Sequence, residues 1–171
     1  MRILVLCTGN SCRSILAEVL FNELGHGRVT AYSAGSDPAG AVNPGAIAKL
    51  QNEGHSTSGL LSKSWDQFTG PDAPALDVVI TVCDNAAGDS CPVWNESPVT
   101  IHWGISDPAD ASVDQLDAAF DLAYSQLRSR IEQVLELPLE SLDIRYRKDA
   151  LQRIHDAATT REARRFSQPS H

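Results

Sequence analysis

The sequence predicts an α/β fold: a parallel sheet of four strands flanked by helices, with one extra helix at the C-terminal end. Three observations carry this. Short aliphatic runs alternate with stretches of helical periodicity, the pattern of a parallel sheet covered on both faces. The first run, Ile3 to Leu6, passes straight into Cys7-Thr8-Gly9-Asn10-Ser11-Cys12-Arg13-Ser14, and a helical pattern leads out of that stretch. Cys7, Cys83 and the loop after His102 all fall just past predicted strand ends, where open α/β sheets bind ligands.

Each element has its own signal. Arg2 to Leu6 reads as a buried strand, because its core is a continuous aliphatic run. Ile15, Leu16, Val19, Leu20 and Leu24 recur at helical spacing, and Gly25 closes that helix. Val29 to Ser33 is the second strand, and Ala34-Gly35-Ser36-Asp37-Pro38 opens a loop. Asn43-Pro44 supplies a cap and a first helical residue; Ile47 and Leu50 form the inner face, and Gly54 ends the helix. The stretch 55–75 is irregular, with one short helix around Trp65 and Phe68. Asp77 to Val82 is the third strand, and Val99 to His102 a short fourth one. Between them, Cys83 to Cys91 is a polar, glycine-containing loop or short helix. After the loop from Trp103 to Ala111, Ser112 and Gln115 make a capping box. Val113, Leu116, Phe120, Ala123, Leu127, Ile131 and Val134 then form a long amphipathic stripe, stopped by Pro138. Leu142, Tyr146, Leu151 and Ile154 give a last helix packed loosely on the body, with disorder from Thr159 onward.

The length, 171 residues, suits one domain. A net charge of −8 argues against a general nucleic-acid binder. That charge is uneven: from Arg145 onward the chain carries +4, against −12 for the rest. The basic end reads either as a solvated helix or as a docking surface for an acidic partner. No run approaches the roughly 20 apolar residues of a membrane span, and Ile3 to Leu6 is too short for a signal-peptide core. A cytoplasmic protein is the expectation, with its four cysteines reduced at rest. Their spacing contains no Cys-x-x-Cys, and the five histidines are scattered, so no metal site is expected.

The stretch from Cys7 to Ser14 reads as an oxyanion site. A strand, a tight glycine turn and a helix N-terminus make a socket of backbone N–H groups. Cys-(x)5-Arg is the pattern of phosphatase P-loops; a Walker loop would need Gly-Lys-Ser/Thr. Thr8, Gly9, Asn10, Ser11, Cys12, Arg13 and Ser14 are the expected substrate-binding residues. A helix end, an arginine and hydroxyl donors are expected to lower the Cys7 pKa from about 8.5 to roughly 3.5–7.5, with Ser14 donating its hydroxyl to the sulfur. Arg13 can hold two oxygens of a tetrahedral anion. Gly9 and Asn10 accept backbone angles that other residues resist.

Further motifs extend the pattern. Ser33-Ala34-Gly35, Val82-Cys83, Cys91-Pro92, His102-Trp103-Gly104 and Asp107-Pro108 follow the loop in order. Together they resemble the thioredoxin-coupled arsenate reductases, which share the low-molecular-weight protein tyrosine phosphatase fold. The resemblance covers roughly residues 2 to 136. It implies strand order 2-1-3-4, the phosphotyrosine phosphatase I-like arrangement. Residues 1–140 would form the reductase domain, and 141–171 a helical extension with a disordered end. It implies that Cys7 attacks arsenate, that Arg13 and the loop amides bind it, and that Asp107 protonates the departing hydroxyl. Cys83 would then attack Cys7 and release arsenite, and Cys91 would pass the disulfide outward to thioredoxin or a glutaredoxin-type reductant. No cofactor is implied, and a monomer is expected.

Other readings stay open at this point. A phosphatase would use Cys7, Arg13 and Asp107 alone, and usually carries an aromatic after Asp-Pro, where this chain has Ala109. A non-catalytic oxyanion module would need no thiol. Cys83 and Cys91 read alternatively as small buried hydrophobes. Cys12 either packs under the loop or serves as an accessory redox group. Asp107 could simply start a turn. Seven residues separate Cys83 from Cys91, one more than in better-known relatives. Some relatives hold potassium beside the loop; Asn10, Glu18 and Ser33 match its ligands, but Lys63 stands where another ligand is acidic. An ammonium has donors and no acceptor, so Lys63 would replace the ion, unless it is an exposed loop lysine.

Overall fold

The computed structural model describes residues 1–83 and 92–167. Strands β1 (Arg2–Cys7), β2 (Thr30–Gly35), β3 (Val78–Thr81) and β4 (Val99–His102) form one parallel sheet of order β2-β1-β3-β4. The described residues also hold four α-helices: α1 (Arg13–Leu24), α2 (Pro44–Asn52), α3 (Leu116–Leu135) and α4 (Ile144–Phe166). The register sets Cys7 beside Gly35, Leu6 beside Thr81 and Thr81 beside His102. All four strands therefore end along one edge, and the loops leaving them meet there.

The central strands are aliphatic throughout because both of their faces are covered. On one face Ile3, Val5, Val78 and Ile80 pack with Leu16, Leu20, Leu127 and Ile131 from α1 and α3. On the other, Leu4, Leu6 and Val79 pack with Phe68, Leu76 and Trp94. Phe68 comes from a short 3-10 turn, Trp65–Phe68, which Ser64 caps through the Asp66 N–H. This is the short helix expected in the irregular stretch.

Several expectations need correction. β2 runs two residues further than Ser33, because Ala34 and Gly35 still pair with Leu6 and Cys7. Gly35 is required there for space: a Cβ would lie 2.3 Å from the Thr8 carbonyl oxygen. Asn43 does cap α2, accepting from the Gly45 N–H, but the buried residues are Ala46 and Leu50, with Ile47 only half-buried. Ser112 and Gln115 form no capping box. Their backbones close a 3-10 turn, Gln115 N–H to Ser112 carbonyl at 2.9 Å, and α3 starts at Leu116 without a side-chain cap.

The largest correction is at the C-terminal end. The chain is helical through Phe166, not disordered from Thr159. Tyr146, assigned to the inner face, is 70% exposed. The helix is held by Arg130 of α3, which is fully buried. All five guanidinium N–H groups have acceptors. Nε donates to His155 Nδ1 at 3.1 Å, and Nη1 to the Gln126 carbonyl and to Glu162 Oε1 at 2.7 Å. Nη2 donates to Thr159 Oγ1 and to Glu162 Oε2 at 3.1 Å. A buried guanidinium is tolerable only when every donor is satisfied, and three of its four partners lie on α4. The attachment is therefore specific rather than loose.

Two outcomes follow for α4. Glu162→Gln removes the countercharge from a buried cation, and because Glu162 is 24% exposed the cost is set at about 2–3 kcal/mol. It is read as a lower urea midpoint at unchanged m-value. His155 must keep Nδ1 unprotonated to accept from Arg130. Burial, then the charge of Arg130 and His102, hold its pKa below the ordinary imidazole value, while Asp156 and Glu162 pull the other way. The unfolded chain thus binds the extra proton first. The contribution is complete above about pH 6.5 and is lost as pH falls through the window beneath it. Melting temperatures of the wild type and His155→Asn across that window should converge on the acid side; parallel curves would exclude His155 as the source.

Candidate active site

The loop between β1 and α1 is built by turning its carbonyls outward. The Thr8, Gly9 and Ser11 carbonyls accept from the N–H groups of Asp37, Ala39 and Asn43 at 2.9–3.0 Å. The Ser62 hydroxyl adds a second donor to Gly9 at 3.0 Å. Asn10, at φ 44°, takes the left-handed turn expected of it. Its buried amide donates to Ser14 Oγ at 2.9 Å and accepts from the Lys63 N–H at 2.8 Å. The N–H groups of Asn10, Ser11 and Cys12 are left with no acceptor among the described residues. No side chain caps α1 either. A set of amides at an uncapped helix N-terminus is a socket for an anion.

Arg13 closes this socket from α1. Nη1 donates to the Ile105 carbonyl at 2.7 Å, and Nη2 to Asp107 Oδ2 at 3.0 Å, with Cys7 Sγ at 3.8 Å. Its Nε is buried with no acceptor among the described residues. Asp107 also takes the Ala109 N–H on Oδ1 at 3.0 Å, capping the turn Pro108–Asp110. It therefore starts a turn and lines the cavity beside Arg13 at once. A cavity of about 430 Å³ opens here, lined by Arg13, Cys83, Gly104, Ile105, Ser106 and Asp107.

Cys83 follows β3 and reaches across to the first loop. Its sulfur lies 3.2 Å from the Thr8 N–H and 3.3 Å from Thr8 Oγ1. Of the influences on the Cys7 thiol, Cys83 raises its pKa most and burial adds to it, while Arg13 and the Gly9 N–H oppose them. The expected lowering is thus reversed in this arrangement. A neighbouring thiol that competes for the proton, together with burial, outweighs one guanidinium and one amide. Ser14 Oγ accepts from the Asn10 amide at 2.9 Å, and the expected hydrogen bond from its hydroxyl to the Cys7 sulfur is not seen among the described residues. Cys12 packs in the main core, and burial pushes its thiol up to about 11. Cys91 lies outside the described residues.

Behind the loop, Lys63 is not an exposed loop lysine: its side chain is 19% exposed. Nζ is 3.8 Å from Glu18 Oε2 and donates to the Leu61 carbonyl at 3.3 Å. Glu18 also accepts from the Ser33 hydroxyl at 2.5 Å. Burial raises the Glu18 pKa, against the pull of Ser33 and Lys63. Among the described residues, no group of three or more His, Cys, Asp or Glu could hold a metal ion. Sequence reasoning missed the Ile105 carbonyl and the pairing of Thr8 with Cys83. The first is a backbone group with no side-chain signature. The second depends on contact across 75 residues.

The fold and loop agree with comparisons to known proteins. Residues 2–147 match the family model of low molecular weight phosphotyrosine protein phosphatases. An arsenate reductase of Halalkalibacterium halodurans is 35% identical over 133 residues, 77% of this chain and 92% of that protein. A glutaredoxin arsenate reductase of Synechocystis is 29% identical, over 78% of this chain and 95% of that protein. The solved structure of an arsenate reductase in its oxidized state superimposes with a TM-score of 0.63 at 27% identity, covering 79% of this chain and 96% of that one. The chain belongs to the low molecular weight phosphotyrosine protein phosphatase family, with arsenate reductases among its relatives.

Proposed function

We propose that the chain is an arsenate reductase acting through Cys7, Cys83 and Cys91, regenerated by a dithiol protein. The observation that carries this reading is the Cys83 sulfur on the first loop, 3.2 Å from the backbone nitrogen of Thr8, next in the chain to Cys7, and on the wall of the Arg13 cavity. Ester hydrolysis needs one thiolate. Reducing As(V) to As(III) needs two electrons, and two thiols closing to a disulfide supply them. Relatives named arsenate reductases support the substrate.

In this reading, arsenate binds to the amides of Asn10, Ser11 and Cys12 and to the Nε of Arg13. The Cys7 thiolate forms a sulfur–arsenic bond, and a hydroxide departs as water with a proton from Asp107. The Cys83 thiolate then attacks the Cys7 sulfur. The sulfur–arsenic bond breaks, its electron pair stays on arsenic, and arsenite leaves. Cys91 attacks Cys83, freeing the Cys7 thiolate and leaving a Cys83–Cys91 disulfide for thioredoxin or a glutaredoxin-type protein to reduce. Thr8 serves Cys83 rather than substrate alone, since an N–H and a hydroxyl donated to sulfur favour its thiolate. A phosphotyrosine slot is not supported: Ala109 follows Asp107-Pro108, and the cavity walls named above include no aromatic ring. Lys63 supplies the positive charge beside Glu18 that a bound cation would otherwise provide.

The deciding assay is arsenate-dependent NADPH consumption with thioredoxin and thioredoxin reductase, run in parallel with glutathione and glutaredoxin. Cys7→Ser should lower turnover by at least about 10³-fold in a folded protein; substantial residual turnover would sink the scheme. Cys91→Ser should allow one turnover and leave a Cys7–Cys83 disulfide in peptide maps, whereas a Cys7–Cys12 bridge would move the resolving role to Cys12.

Cys83→Ala removes the largest cause of the raised Cys7 pKa. Followed by thiolate absorbance, Cys7 should then titrate at a pH lower by about 2 or more. Weak hydrolysis of a small aryl phosphate should survive the change. Loss of that hydrolysis, as complete as in Cys7→Ser, would show that Cys83 belongs to the nucleophilic step itself.

With Lys63 beside Glu18, activity and melting temperature should be equal in sodium and potassium at one ionic strength. A saturable gain from potassium alone would refute the lysine's role.

A further inference from the structure

The basic residues of this chain divide into two groups. Outside α4, six of the seven have a carboxylate partner: Arg13, Arg28, Lys49, Lys63, Arg128 and Arg130. On α4 the pattern reverses. Arg147 turns to the carbonyls of Leu139 and Leu142. Arg145, Lys148, Arg153, Arg161, Arg164 and Arg165 are exposed, and their side chains make no hydrogen bond or ion pair among the described residues. Among the described residues these cations are unpaired, on a molecule whose remaining residues sum to −12. The helix lies almost wholly beyond the end of the family match at residue 147.

The surface they occupy is rigid and has shape. The Arg130 clamp ties α4 to α3. Between the two helices lies a groove of about 270 Å³, with Arg161 and Arg165 on its rim and Leu122, Ala158 and Phe166 as apolar lining. Leu122 is 42% exposed and Phe166 73%. At its other end α4 packs on β4. There Arg145 and Lys148 share a second hollow with Ser97–Thr100, the stretch that follows Cys91 in the chain.

We propose that α4 is the docking surface for the dithiol reductant, and that this reductant is an acidic protein. The inference rests on the relay proposed above, because that relay requires a protein to collect the Cys83–Cys91 disulfide. An acidic partner is repelled by most of this molecule and attracted by one helix. Complementary fields of this kind act over about a Debye length, roughly 8 Å at physiological salt, and set both encounter rate and orientation. A partner seated along the helix, from the groove at Arg161 and Arg165 to the hollow at Arg145 and Lys148, reaches the strand that the Cys91 segment enters. Leu122 and Phe166 provide an apolar centre within the charged rim, the usual anatomy of a protein interface.

The test uses a thioredoxin of net negative charge at neutral pH as the probe. Arg161→Glu combined with Arg165→Glu is compared with the wild type and with the corresponding double glutamine variant. In the glutamate variant, the KM for thioredoxin and its Kd, by fluorescence anisotropy of labelled thioredoxin, should rise by roughly 5–20-fold. The glutamine variant should show a smaller rise, and it carries the measurement if the glutamate variant is misfolded. In the wild type both constants should rise with salt. Arsenate reduction supported by dithiothreitol, and the KM for arsenate, should not change. Unaltered thioredoxin constants in the charge-reversed protein, with no dependence on salt, would overturn the proposal. Absence of arsenate turnover with every reductant would overturn the relay instead, while the anisotropy titration would still decide whether α4 binds an acidic dithiol protein.

Discussion

A desolvated guanidinium at the edge of the sheet is the constraint on which the site depends. Arg13 is buried, so its charge needs fixed acceptors. It finds them in the Ile105 carbonyl and Asp107, both from the loop after β4. The Arg13 side chain therefore spans from the loop after β1 to the loop after β4, across the end of β3. That span exists only because β1, β3 and β4 pair in one register. The cavity beside Cys7 follows from the same geometry: the Nε of Arg13 and the amides of Asn10, Ser11 and Cys12 are donors awaiting an acceptor, and a tetrahedral anion satisfies them together.

The same physics recurs at Arg130. A second arginine is withdrawn from water, and a complete set of acceptors offsets its desolvation. Here the acceptors are carried by α4, so the cost of burying the cation becomes a condition for docking the helix. A helix of weak amphipathic character, with only Leu151 and Ala158 fully buried, is thereby held in one place. Its exposed cations are thereby carried on a backbone held in one place.

Cys83 has the largest influence on the charge state of the Cys7 thiol. A lone P-loop cysteine is governed by the helix end and the arginine, both of which favour the thiolate. Here Cys83 and burial work against them and raise the Cys7 thiol instead. The chemistry that needs two sulfurs and the chemistry that needs one reactive thiolate thus pull on the same group. Movement of Cys83 toward or away from Cys7 shifts the balance.

Much of the fold was legible because it rests on local signals. The aliphatic run before Cys7, the glycine and asparagine in the loop, the Asn43-Pro44 start and the stripe along α3 all act within a few residues of chain. The residue types at Cys7, Arg13, Cys83 and Asp107 were legible for the same reason: their chemistry is intrinsic. Tertiary structure decided what depends on a distant partner. Ser112 and Gln115 carry a capping signature, but the chain spends those residues on a 3-10 turn. Thr159 to Phe166 looked like a frayed polar end, because nothing in those residues reveals that Glu162 and Thr159 meet a buried cation from another helix. Ser14 accepts from Asn10, and the Cys7 thiol is raised rather than lowered chiefly by Cys83, a residue 76 positions away. Composition and spacing determine which groups a chain can offer; burial and long-range pairing determine which charge state and which partner each group has.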